Sequence, residues 1–142
     1  MLQSKMLAII VIASAVALGG GIMTFAIGIP DSPCTGVVGT NRNFTIIANV
    51  NGYNDSVTHQ GQAWPMMSVN RCDMVTVKII NTDTQTHGFA IDYYAVRGTE
   101  IVGGQSISFQ FLATRAGSFT VYCSIAVCTV HYAMLNGQLT VS

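Results

Sequence analysis

Charge of either sign is scarce in this chain: six Lys and Arg and six Asp and Glu among 142 residues make 8%, against about 25% in ordinary soluble domains. The formal balance is zero, which excludes the basic face that a nucleic-acid partner requires. Internal repeats, low-complexity tracts and any helical period beyond the N-terminal segment are missing as well, which excludes repeat architectures and helical bundles. Tryptophan occurs once, as Trp64, and histidine three times. With so few charges the surface of the folded part must be built from neutral polar residues, such as Asn49, Asn51 and the stretch 81–86. Such a surface suits an acidic exterior, where carboxylates would be protonated and stability would change little with pH.

Apolar side chains are abundant instead, at 50% of residues with a mean hydropathy of +0.48. Part of the excess is local. Met6 to Ile29 carries no charged side chain and includes the run LAIIVIASAVAL, long enough as a helix to cross a hydrocarbon core of about 30 Å. The expectation is one N-terminal transmembrane helix within residues 1–30, a linker over 31–43 and an outer-face domain over 44–142. Lys5 on the short inner side agrees with that orientation. A cleaved secretory signal is the other reading, since Ala15-Val16-Ala17 has the small residues of a cleavage site. Either way the domain lies outside the cell membrane. The glycan-acceptor patterns Asn43-Phe44-Thr45 and Asn54-Asp55-Ser56 agree with export.

Pro30 and Pro33 end any helix before the domain. Beyond them, Phe44 to Val50 is rich in β-branched residues and is followed by Asn51-Gly52, a strong reversal signal. Tyr53 to Pro65 reads as polar and irregular, with His59 as a solvated loop residue. Met74 to Ile80 reads as a strand, 81–86 as a polar turn, and His87 to Ile91 as a further short strand. Ser106 to Leu112 and Gly117 to Cys123 alternate, with Ile107, Phe109 and Phe111 on one face and Phe119, Val121 and Cys123 on another. Gly137 to Ser142 closes the chain as a last strand. Short strands between turn signals predict an all-β fold, an antiparallel sandwich or barrel.

The densest chemistry lies just before that last strand. Cys123, Cys128, His131 and Met134 fall within twelve residues, and thiolate, thioether and imidazole together are the donors that select copper. One imidazole is too few for a blue-copper site, which needs two. His87, delivered by the polar turn, is the candidate for the second, although alone it would read as a core histidine.

A mid-chain histidine paired with a Cys-to-Met loop before the final strand resembles the cupredoxins. More closely, residues 69–141 resemble the copper-A domain of subunit II of heme–copper oxidases, above all the B-type enzymes with a single N-terminal span. The resemblance rests on Val75-Thr76-Val77-Lys78-Ile79, His87-Gly88-Phe89, Gly103-Gly104-Gln105, Ala116-Gly117-Ser118-Phe119 and the loop itself. The family's loop runs Cys, three residues, Cys, three residues, His, two residues, Met. Here Cys123, His131 and Met134 keep that spacing, but Cys128 stands one position late and Val127 fills the expected place. The resemblance implies a dinuclear centre in which both thiolates bridge two copper ions, each completed by His87 or His131. Met134 and the Ile125 carbonyl would be the weak axial ligands. Two alternatives remain open: Cys128, His131 and Met134 also have the spacing of amicyanin-like mononuclear blue copper proteins, and Cys123 with Cys128 could form a disulfide and hold no metal.

The implied function is electron transfer. A membrane-anchored copper domain would take electrons from a small donor protein and pass them to heme in a larger subunit I, alongside other membrane subunits. It would have no catalytic site of its own. A free-standing tethered carrier and a subunit whose copper site is lost are the rivals. Trp64 is the candidate for the patch where the donor docks, by likeness to aromatics near copper-A sites. Cys34 and Cys72 are candidates for a disulfide in an oxidising compartment.

Overall fold

The computed structural model describes residues 33–142. The expected span over Met6 to Ile29 lies outside them, and among the described residues no helix is long and apolar enough to cross a membrane. Gly36–Ser142 forms one compact unit.

That unit holds nine strands: β1 Asn41–Asn49, β2 Gly52–Tyr53, β3 Met66–Val69, β4 Met74–Asn81, β5 His87–Ile91, β6 Ala95–Ile101, β7 Ser106–Leu112, β8 Gly117–Tyr122 and β9 Gly137–Val141. They form two sheets, ordered β2-β1-β4-β7 and β3-β9-β8-β5-β6. Strand β1 starts inside the segment expected to be linker. β2, β3 and β6 are additions to the strands expected from the sequence.

The purely antiparallel expectation is corrected in two places. β1 pairs parallel with β4, from Asn41 opposite Met74 to Ala48 opposite Asn81, and β3 pairs parallel with β9. Parallel neighbours need a crossover of a dozen or more residues. The stretch 50–73 supplies it for β1 and β4, turning at Asn51-Gly52 and passing through a 3₁₀ turn, Ser56–His59, and β3 on the other sheet. Consecutive hairpins are the local default, so the sequence alone favours antiparallel pairing.

Alternation places the core between the sheets. Val75, Val77 and Ile79 of β4 face inward and are fully buried, as are Val121 of β8 and Leu139 of β9. Each buried Val, Leu or Ile contributes about 1.5–3 kcal/mol relative to exposure. β5 is buried at all five positions because it lies between β8 and β6 under the opposite sheet. A histidine opening such a strand is carried into the interior whatever its polarity. His87 therefore sits at the end of the sandwich where β8 runs out into the Cys-to-Met loop.

Candidate metal centre

The loop after β8 is closed at its base by the Cys123 amide, which donates to the Met134 carbonyl at 2.7 Å. Within it the amides of Cys128, His131 and Met134 donate in turn to the carbonyls of Ile125, Cys128 and His131, at 3.4, 3.1 and 2.9 Å. These are three successive i to i+3 turns. In such turns side chains three apart stack on one side, so the spacing 125, 128, 131, 134 has a backbone cause. Val127, which fills the place of the family's second cysteine, is 86% exposed. A cysteine there would face solvent. At 128 its sulfur is turned inward.

The interior faces of the loop and of β5 meet at Cys128. Its Sγ lies 3.1 Å from His87 Nδ1 and 3.7 Å from Met134 Sδ. Cys123 Sγ accepts from the Gly88 amide at 3.3 Å, and its thiol donates to the Ile125 carbonyl at 3.4 Å. His87 and Met134 are fully buried, and both cysteines nearly so. A Cβ on Gly88 would lie 2.7 Å from the Ser124 amide nitrogen and 2.8 Å from Ile125 Cγ1. Only glycine lets β5 approach the loop this closely.

Burial pushes the Cys128 thiol up to about 11, and the neighbouring Cys123 and Asp83 charges push the same way against a hydrogen bond from the Val130 amide. With no metal present the cysteine is a thiol at neutral pH. A bound cation reverses that balance, because a coordinating thiol is deprotonated outright.

Two residues at the site carried no prediction. Asp83 Oδ2 lies 2.9 Å from His87 Nε2, and Asp83 Oδ1 accepts from the Thr84 and Gln85 amides. Burial opposes the Asp83 charge, but hydrogen bonds from His87 and those two amides outweigh it and hold the carboxyl below its ordinary value. A carboxylate on Nε2 fixes the tautomer that leaves Nδ1 free to face the sulfur. The second is Tyr53, a fully buried phenol whose hydroxyl donates to the Gly88 carbonyl. The signal for Asp83 was its place four residues before His87; that for Tyr53 was slight, a tyrosine after a turn.

Among the described residues no three His, Cys, Asp or Glu side chains are gathered about one point. The donors meet in pairs. His131 takes part in none of these side-chain contacts: its Nδ1 is a buried side-chain nitrogen with no hydrogen-bond partner. An unpaired buried polar atom costs roughly 1–3 kcal/mol, a cost that ligation would remove. The chemistry of these donors, imidazole, thiol and thioether, fits copper, and the Ile125 carbonyl is within reach of the Cys123 sulfur.

The other candidates lie apart from these donors. Trp64 is half-buried, and its ring stacks on His59 at 3.9 Å. His59, expected as a solvated loop residue, is thereby packed against an aromatic face. Both line a cleft of about 190 Å³ with Tyr132 and Ala133 of the loop. Cys34 and Cys72 are disulfide-bonded, and Cys123 and Cys128 are free thiols.

No protein-family model matches the chain. Solved structures similar in fold include three copper-protein or cupredoxin-fold chains. Sodium-dithionite-reduced auracyanin from Roseiflexus castenholzii is 19% identical with a TM-score of 0.53, over 73% of this chain and 99% of that one. Copper nitrite reductase from Nitrosomonas europaea is 17% identical with a TM-score of 0.56, over 72% of this chain and 41% of that one. Blue copper oxidase from the same organism is 22% identical with a TM-score of 0.56, over 72% and 39%. The chain thus spans about two fifths of the length of the oxidase and reductase chains. At these identities the likeness is one of architecture: the described residues form an all-β, two-sheet, cupredoxin-like fold.

Proposed function

We propose that this chain is a membrane-anchored copper electron-transfer subunit of a terminal heme–copper oxidase, with its cupredoxin-like domain on the outer face. The observation that carries the reading is the convergence of His87 Nδ1 and Met134 Sδ on Cys128 Sγ. The copper nitrite reductase and blue copper oxidase structures support copper as the metal by their names.

Copper would supply one-electron chemistry, and the chain's residues do the rest. Cys123, Cys128, His87, His131, Met134 and the Ile125 carbonyl would hold the copper, two ions in this reading. Asp83 orients His87, and the packed loop keeps water out, so that little rearranges when the charge changes. Electrons would arrive from a small donor protein near Trp64 and leave to heme in subunit I. Mild detergent extraction tests this: heme that travels with the full chain supports the oxidase subunit, and a heme-free chain argues against it.

One observation favours a second reading. Cys128 alone contacts both His87 and Met134, and with His131 these make the complete donor set of a mononuclear blue copper carrier.

A further inference from the structure

The two glycan-acceptor patterns of the domain, Asn43-Phe44-Thr45 and Asn54-Asp55-Ser56, are treated oppositely by the fold. A strand alternates its side chains between two faces, so Asn43 and Thr45 of β1 share one face and Phe44 turns to the other. Asn43 stands opposite Thr76 of β4 and Thr45 opposite Lys78, and these in turn face Gln110 and Ser108 of β7. Val75 and Val77, their neighbours on β4, are fully buried. The polar side chains of the three strands therefore lie together on the outer surface of the sheet. Asn43 and Thr45 are exposed there, and among the described residues neither side chain makes a hydrogen bond.

The second pattern is taken up by the fold itself. Asn54 is half-buried with a φ of +47°, its Oδ1 accepts from the Ile47 amide at 2.8 Å, and its carbonyl accepts from Trp64 Nε1 at 2.8 Å. Ser56 is 3% exposed, and its Oγ accepts from the Tyr53 amide at 3.1 Å. A hydroxyl held there is closed to an enzyme working at the surface, whereas that of Thr45 stands open. A glycan is bulky and solubilising and belongs on a surface. The face around Asn43 suits one: Gln110 Nε2 donates to Thr76 Oγ1 at 2.9 Å, Lys78 is the charged group, and Ile47 and Ile80 are half-buried. Asn49, at the far end of β1, pairs with Gly52, which approaches Met134. Six residues of strand, roughly 20 Å, thus separate Asn43 from that end, and a glycan there leaves the Cys-to-Met loop uncovered.

Resting on the outer-face placement of the domain, we infer that Asn43 carries an N-linked glycan and that Asn54 carries none. The co-reactant is an oligosaccharide held on a polyprenyl phosphate, and the catalyst is a membrane transferase of the exporting cell. Asn43 Nδ2 forms a bond to the anomeric carbon of the sugar as the bond from that carbon to the phosphate oxygen breaks. The lipid phosphate leaves with the electron pair, and one amide proton passes to a base of the transferase. Tandem mass spectrometry of the full chain, purified from its native membrane and cut by chymotrypsin after Tyr53, reads the result. The peptide with Asn43 should gain the mass of whole sugar residues, and the peptide with Asn54 should gain none. Thr45→Ala, which removes a free surface hydroxyl, should lose the sugar, and Thr45→Ser should keep it. Sugar on Asn54, or sugar on Asn43 that survives Thr45→Ala, overturns the inference. So does a bare Asn43 in a chain whose Lys78 reacts, on intact cells, with an amine reagent that cannot cross membranes; the outer-face reading then stands. A bare Asn43 with Lys78 reactive only after the cells are broken overturns both.

Discussion

His87 Nδ1 lies 3.1 Å from Cys128 Sγ, across 41 residues of chain. The contact joins the start of β5 to the middle of the Cys-to-Met loop, and it makes Cys128 the sulfur that the other donors face. Cys123 stands one hydrogen bond away, on the Gly88 amide. Cys128→Ser and Cys123→Ser should each abolish the spectrum of the copper-loaded chain, because the proposed centre draws on both thiolates. Persistence of the spectrum in Cys123→Ser would show that only Cys128 is a ligand.

Asp83→Asn should weaken metal affinity by roughly 10–100-fold, the usual consequence of losing the carboxylate behind a ligating histidine. It should also raise the reduction potential, since a less basic imidazole stabilises the oxidised metal less. Competition with a chelator reads the first effect and a redox titration the second. A potential that falls would contradict the role given to Asp83.

Gly52→Ala forces a left-handed φ on a residue with a Cβ and drives that carbon into Ser56 Oγ. The expected cost is about 1–3 kcal/mol, from strain of that type. Denaturant melts of the metal-free chain measure it. Because Met134 shares the contact, the axial contribution to the copper spectrum should shift as well.

Asp73 gives the metal-free domain a pH dependence. Its carboxylate accepts from the Thr40 amide and hydroxyl at 2.8 and 2.9 Å and from the Asn70 amide at 2.9 Å. Those hydrogen bonds, Thr40's first, hold it below its ordinary 3.8. A lowered carboxylate contributes stability that is complete above its unfolded value and is lost as pH falls through the folded one. Asp73→Asn should therefore be less stable than the wild type at neutral pH, with the gap closing as pH falls through the lowered folded value of Asp73. Equal stability across the range would remove Asp73 from the account. A wild-type fold that collapses below about pH 4 would count against the acidic exterior.

Trp64→Ala should slow electron uptake from a donor protein while leaving the copper spectrum intact, since Trp64 lines a cleft with Tyr132 and Ala133 and is not itself one of the proposed ligands. An unchanged rate in stopped-flow mixing would remove it from the docking patch.

What could be read from the sequence was whatever depends on local period. Ser106–Leu112 alternates in sequence and is a strand over those residues, and Cys128, His131 and Met134 announce themselves by a spacing of three that the loop's turns reproduce. β6 escaped notice because an edge strand carrying Arg97, Gly98 and Glu100 has no buried alternation to show. β3 is four residues long with only Met67 and Val69 buried. The parallel pairing of β1 with β4 depends on a crossover, which no local pattern encodes. Tyr53 reaches Gly88 across 35 residues for the same reason. Asp83 was closer to hand, because a carboxylate one turn before a candidate ligand is a recurrent partner for its second nitrogen.

Copper stoichiometry with paramagnetic resonance on the reconstituted full chain tests the central claim most directly. The account predicts two coppers per chain, with one unpaired electron shared over both nuclei and both thiolates required. A single copper with an intense blue thiolate band would contradict it in favour of the mononuclear carrier, and a chain that binds no copper would contradict both.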